Sequence, residues 1–176
     1  MNVAPGFALV EALVVVAIVA ICLGFAVPTL RDARLGAQQA REVASWVQSI
    51  HLARAEAIKR NAVVSICPSA DGRTCASGST DWADGRIVFA NLNAEQPPVR
   101  STDEPIVRAY AGWINGRITA NRDWFSFRAF GQSGITATIV FCDARGVTAA
   151  RAVILSQAGR PRVATTRASG EPLACD

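Results

Sequence analysis

Two arginines separated by one proline, in the segment Gly159-Arg160-Pro161-Arg162, are the residues of this 176-residue chain best suited to hold a ligand. In an extended chain, side chains two positions apart project from the same face. Pro161 cannot donate to a β-ladder, which confines the segment to a sheet edge or a turn, where a ligand can reach it. Two guanidiniums on one exposed face, with Arg167 close by in the chain, can straddle consecutive phosphates of a duplex. The plainer alternative is a turn made by Gly159 with both arginines merely solvated.

Other chemistry has less to stand on. The single histidine, His51, has no Ser or Cys motif beside it, and the G-x-S-x-G and phosphate-loop patterns are absent. Asp71-Gly72 and Asp84-Gly85 read as turns rather than paired catalytic carboxylates. The chain is therefore expected not to be an enzyme and to need no cofactor. Cys67, Cys75, Cys142 and Cys175 lack C-x2-C spacing and have one histidine between them, so disulfides are expected in place of a metal site. Four cysteines allow three connectivities. Cys67–Cys75, closing a short Gly-containing turn, and Cys142–Cys175, pinning the C-terminus to a strand, are favoured. Cys22 falls in an apolar run and reads as a small apolar residue.

Charge points the same way as the arginine pair. The net charge is +4, but residues 105–170 hold nine Arg against only Asp123 and Asp143, a local excess of +7. Residues 1–104 are close to neutral, so a polyanion should meet the second half. Seventeen of the 18 basic residues are Arg, the better shape for bidentate phosphate contacts.

The elements that must position these residues begin with helix. Residues 7–27, FALVEALVVVAIVAICLGFAV, are apolar apart from Glu11 and at about 1.5 Å per residue reach roughly 30 Å, a bilayer core. A carboxylate in such a run costs a few kcal/mol, so by default Glu11 has a partner. From 30 to 60 a 3.6-residue stripe follows (Val43, Trp46, Val47, Ile50, Ala53, Ala57), with Pro28 between the halves expected to kink or interrupt the helix. After Arg60 the period changes. Strands are expected at 62–67, 86–90, 106–110, 124–130, 137–142, 151–156 and 162–166, separated by turn-rich segments. This is an α+β pattern: antiparallel sheets packed on the amphipathic half of a long helix. Trp82, Trp113 and Trp124 are expected in the core rather than as stacking platforms.

GFALVEALVVVAIVAI, whose Gly6 closes a six-residue leader, with Pro28 downstream, resembles the class III signal of type IV pilins and type II secretion pseudopilins. LARAEAIKRNAVVSICPSADGRTC followed by DWADGRIVF resembles the GspH/FimT branch, and GRPR resembles the GRxR motif of its FimT-type minor pilins. The leader MNVAPG, lacking Lys and Arg, and Ala8 in place of Thr depart from the family pattern. The resemblance implies a type IV pilin fold with a leader (1–6), a membrane and assembly half of the helix (7–28) and a periplasmic head (29–176; helix 29–60, β-rich 61–176). It implies cleavage by prepilin peptidase between Gly6 and Phe7, methylation of Phe7, and Glu11 as the assembly carboxylate. The implied partners are the inner membrane, then other major and minor pilins in a surface fibre. Double-stranded DNA is the implied ligand, bound through Gly159, Arg160, Arg162 and Arg167 in natural transformation. A FimU-like structural minor pilin priming assembly and a type II secretion pseudopilin are the alternatives.

Overall fold

The structure, a computed structural model, describes residues 6–76, 78–130 and 133–175, with the side chains of 6–8, 23 and 25–28 excepted. It opens with α1, a 55-residue helix from Gly6 to Arg60. Of the kink or interruption expected at Pro28, the interruption does not occur. Proline removes one backbone donor, aimed at residue 24, and the hydrogen bonds of the flanking turns keep the element continuous. Residues 9–21 leave their apolar side chains exposed, from Leu9 at 66% to Val19 at 49%. Among the described residues no helix is long and apolar enough to cross a membrane. The side chains of 7, 8, 23 and 25–28, which complete the run expected to do so, lie outside them.

The second half of α1 buries the expected stripe, Val43, Trp46, Ile50, Ala53 and Ala57, against two four-stranded antiparallel sheets. The first contains β1 (Val63–Pro68), β2 (Gly85–Asn91), β3 (Ile106–Ala111) and β5 (Phe125–Phe127), in the order β3-β2-β1-β5. The second contains β4 (Gly116–Ala120), β6 (Ala137–Asp143), β7 (Arg151–Leu155) and β8 (Pro161–Ala164), in the order β4-β6-β7-β8. Two strand expectations need correction. β4, GRITA, was not foreseen, because five residues with one β-branched apolar side chain give little alternation. The run 124–130 shortens to three paired residues, since only β1 lies beside it.

Trp46 sits where the layers meet. Its ring makes edge contacts with Trp82 (5.0 Å between centroids) and Phe125 (6.1 Å), and with Phe141 of the second sheet (6.3 Å). Trp82 and Trp113 are core residues, as expected, whereas Trp124, just before β5, is only half-buried. On the other side of Trp46 lies Arg86, 1% exposed, stacked 4.3 Å from the Trp46 centroid and 4.3 Å from that of Tyr110. It donates to Ser49 Oγ and Ser45 Oγ of α1. The second sheet is held to the helix by another polar bridge. Gln39 Nε2 donates to the Phe141 carbonyl, and Arg145 Nη2 donates to Gln39 Oε1 while its Nε and Nη2 grip Asp143.

Disulfides join Cys67 to Cys75 and Cys142 to Cys175. The first closes a loop in which Asp71 accepts the N–H groups of Arg73 and Thr74 and the hydroxyls of Ser69 and Thr74. The second ties the C-terminal tail to β6.

The Asp143 carboxylate is fully covered, and its hydrogen bonds from Arg145 hold its pKa below the usual 3.8. A pKa lower in the folded than in the unfolded chain stabilises the fold above about pH 4, and that contribution is lost as pH falls through the folded value. Asp143→Asn should cost about 2 kcal/mol at pH 7 and flatten the loss of stability as pH falls below about 4. Urea titrations of both proteins across that range check it; parallel pH profiles would remove Asp143 from this role.

Candidate nucleic-acid interface

The geometry of the arginine pair follows from a five-residue reversal between β7 and β8. Ser156 N donates to the Arg160 carbonyl (3.1 Å), Gly159 N to the Ser156 carbonyl (2.9 Å) and Arg160 N to Ser156 Oγ (3.2 Å). The chain can turn this tightly because Gly159 adopts φ +72°, a left-handed conformation that costs a residue with a Cβ about 1–2 kcal/mol. Gly159 is buried by the turn, so its contribution is conformational. Ser156 was not singled out from the sequence. A Ser three residues before a Gly, at the start of a turn, is the signal that would have found it.

β8 is one of the two edge strands of the second sheet, the kind of position Pro161 demands. Its register sets Pro161 opposite Leu155, Arg162 opposite Ile154, Val163 opposite Val153 and Ala164 opposite Ala152. Val153 and Leu155 belong to the main core beneath α1, whereas Ala152 packs with Val140, Cys142 and Leu173 on the far side. Strand alternation therefore puts Arg162 on the sheet face turned away from the helix; Arg160 precedes β8, in the turn that closes the hairpin. Both are exposed, and neither side chain has a hydrogen-bond or ion-pair partner among the described residues. Arg167 is half-buried at the start of the tail, where its N–H donates to the Glu171 carbonyl. The four positions Gly159, Arg160, Arg162 and Arg167 thus lie along one hairpin and its exit. Arg160 and Arg162 lie two residues apart at the turn end of β8; Arg167 is separated from them by the remainder of β8.

The remaining sequence candidates are spread out. Glu11 is exposed on the first turns of α1 and has no partner among the described residues. Gly6 and Phe7 begin that helix, with their side chains outside the described residues, as are residues 1–5 entirely. His51 is exposed on the helix. Among the described residues no group of His, Cys, Asp and Glu could hold a metal ion.

Residues 42–159 match the family model of the type II transport protein GspH. The pilin-like protein PilA1 of Thermus thermophilus is 30% identical over 166 residues, covering 90% of this chain and 97% of PilA1. Crystal structures of the type IV minor pilin FimU of Pseudomonas aeruginosa, in two crystal forms, superpose with TM-scores of 0.53 and 0.55 at 20% identity. They cover 78% and 82% of this chain and 98% of FimU. At that identity the likeness concerns the fold alone: a long helix leading into antiparallel sheets.

The turn gives a direct test. Gly159→Ala should lower stability by about 1 kcal/mol, whereas Gly159→Asn, which tolerates the left-handed region better, should cost less. Thermal melts of the three proteins check the order; an Ala variant as stable as wild type would show that the left-handed turn carries no strain.

Proposed function

Because this chain belongs to the GspH family and has the type IV pilin fold, we propose that it is a minor pilin whose head binds double-stranded DNA without sequence preference, supporting DNA uptake. The observation that carries this reading is the pair Arg160 and Arg162, two residues apart where the turn enters an edge strand, both exposed and unpaired among the described residues. Contact should be to phosphates, because an edge strand and a turn offer no helix to enter the major groove. The +7 excess over residues 105–170 adds a longer-range attraction that salt screens.

Titration of the full chain in detergent micelles against duplex DNA at several salt concentrations tests it. Affinity from so small a site should fall near the non-specific range, about 10⁻⁴ to 10⁻⁶ M at physiological salt. Arg160→Gln/Arg162→Gln should weaken binding and flatten the log–log salt slope by roughly two. The melting temperature should barely move, since exposed charges contribute little to stability. Equal affinity of variant and wild type, with both folded, would return the segment to a solvated turn and leave a structural minor pilin.

The same reading assigns roles along α1. Prepilin peptidase would cut between Gly6 and Phe7, residues 7–28 would hold the chain in the inner membrane before assembly, and Glu11 would pair with a neighbouring pilin in the fibre. A lone carboxylate among exposed apolar side chains supports this, since it needs a partner once water is removed. The mature protein should begin with N-methyl-Phe7, which intact mass reads directly; retention of residues 1–6 in cells with active peptidase would overturn it.

A further inference from the structure

The face of the second sheet that carries Arg162 continues away from the hairpin into a cleft. β4 and β6 supply its floor, and the C-terminal tail, returning after β8 and held by Cys142–Cys175, supplies one wall. The cleft encloses about 310 Å³ and is lined by Thr80, Arg117, Thr119, Asn121, Thr138 and Arg167 among others. Arg117 is exposed and Arg167 half-buried, and neither guanidinium has a hydrogen-bond or ion-pair partner among the described residues. Neighbouring acids are engaged elsewhere: Asp81 accepts the Ala83 N–H and Glu171 the Ser169 hydroxyl. Asn121 Oδ1 accepts the Thr138 N–H, which leaves its Nδ2 as a donor.

Two unpaired guanidiniums in a concavity rimmed by hydroxyl and amide groups make a site for a phosphate. Its place relative to the hairpin is set by register. Arg162 pairs across to Ile154, and Ile154 to Thr138 of the cleft. Two strand spacings separate Arg162 from the cleft edge, about 10 Å, comparable with the roughly 12 Å width of a B-form major groove. We propose that Arg117 and Arg167 bind a second backbone phosphate of the duplex held at Arg160 and Arg162, so that the DNA lies across the outer face of the sheet. This rests on the reading of the hairpin arginines given above.

Four full-length proteins in detergent micelles, titrated with a labelled duplex over a salt series, test it: wild type, Arg117→Gln, Arg117→Gln/Arg167→Gln and Arg160→Gln/Arg162→Gln. At 0.15 M salt each lost contact should raise Kd about fivefold and flatten the salt slope by about 0.9. The cleft pair should therefore weaken binding by about twenty-fivefold. If the double cleft variant melts early because Arg167 supports the tail, Arg117→Gln alone, on an exposed strand position, still has to flatten the slope by about one. Wild-type affinity and slope in both cleft variants, with binding lost in the hairpin variant, would overturn the cleft and leave the hairpin site standing. No change in any variant, or no duplex binding by wild type, would overturn both.

Discussion

Arg86 lies between the rings of Trp46 and Tyr110, and that three-layer stack fixes how the helix meets the first sheet. Placing a guanidinium at 1% exposure with no carboxylate in contact among the described residues is costly, and burial pushes its pKa down to about 10. Two aromatic faces and two serine hydroxyls from α1 offset that cost, with Glu42 adding attraction from a distance. The arrangement demands a specific helix rotation, because Ser45, Trp46 and Ser49 must face β2 together. Once they do, the other edge of Trp46 is committed to Trp82, Phe125 and Phe141, and the second sheet has only one way to dock. The Gln39–Arg145–Asp143 bridge then locks that sheet to the helix about two turns away from Trp46. Arg86→Lys would not reproduce this, since a compact ammonium cannot stack on two rings at once.

Much of this was legible in the residues. The helical stripe from Val43 to Ala57, the change of period after Arg60, the four head cysteines and the proline-constrained arginine pair each carry a local signature. What stayed hidden depends on distant partners. Arg86 reads in sequence as the polar start of a strand, RIVFA, and nothing local says that two aromatic rings will enclose it. β4 is five residues long and owes its strand conformation to pairing with β6. Because β4 was hidden, Arg117 was hidden too, for its facing is defined only by that register. At Pro28 the sequence leaves a kink and an interruption open, and the continuous 55-residue helix excludes the interruption, since one missing donor is a local loss. At the arginine pair the local rule held, since proline, glycine and a short reversal leave few conformations to choose from.

The hairpin also has a mechanical character. A load applied at its turn reaches β7 at once through Leu155, and β7 is paired along both edges, with β6 and with β8. β8 has β7 alone beside it, and four residue pairs hold it there. A freed β8 would still have a stop at each end. The turn ties it to β7, and Cys175 is bonded to Cys142 of β6, inside the sheet. The eleven residues from Ala164 to that bridge extend to about 40 Å at most. The outermost strand is thus leashed to the interior of its own sheet and cannot leave the head.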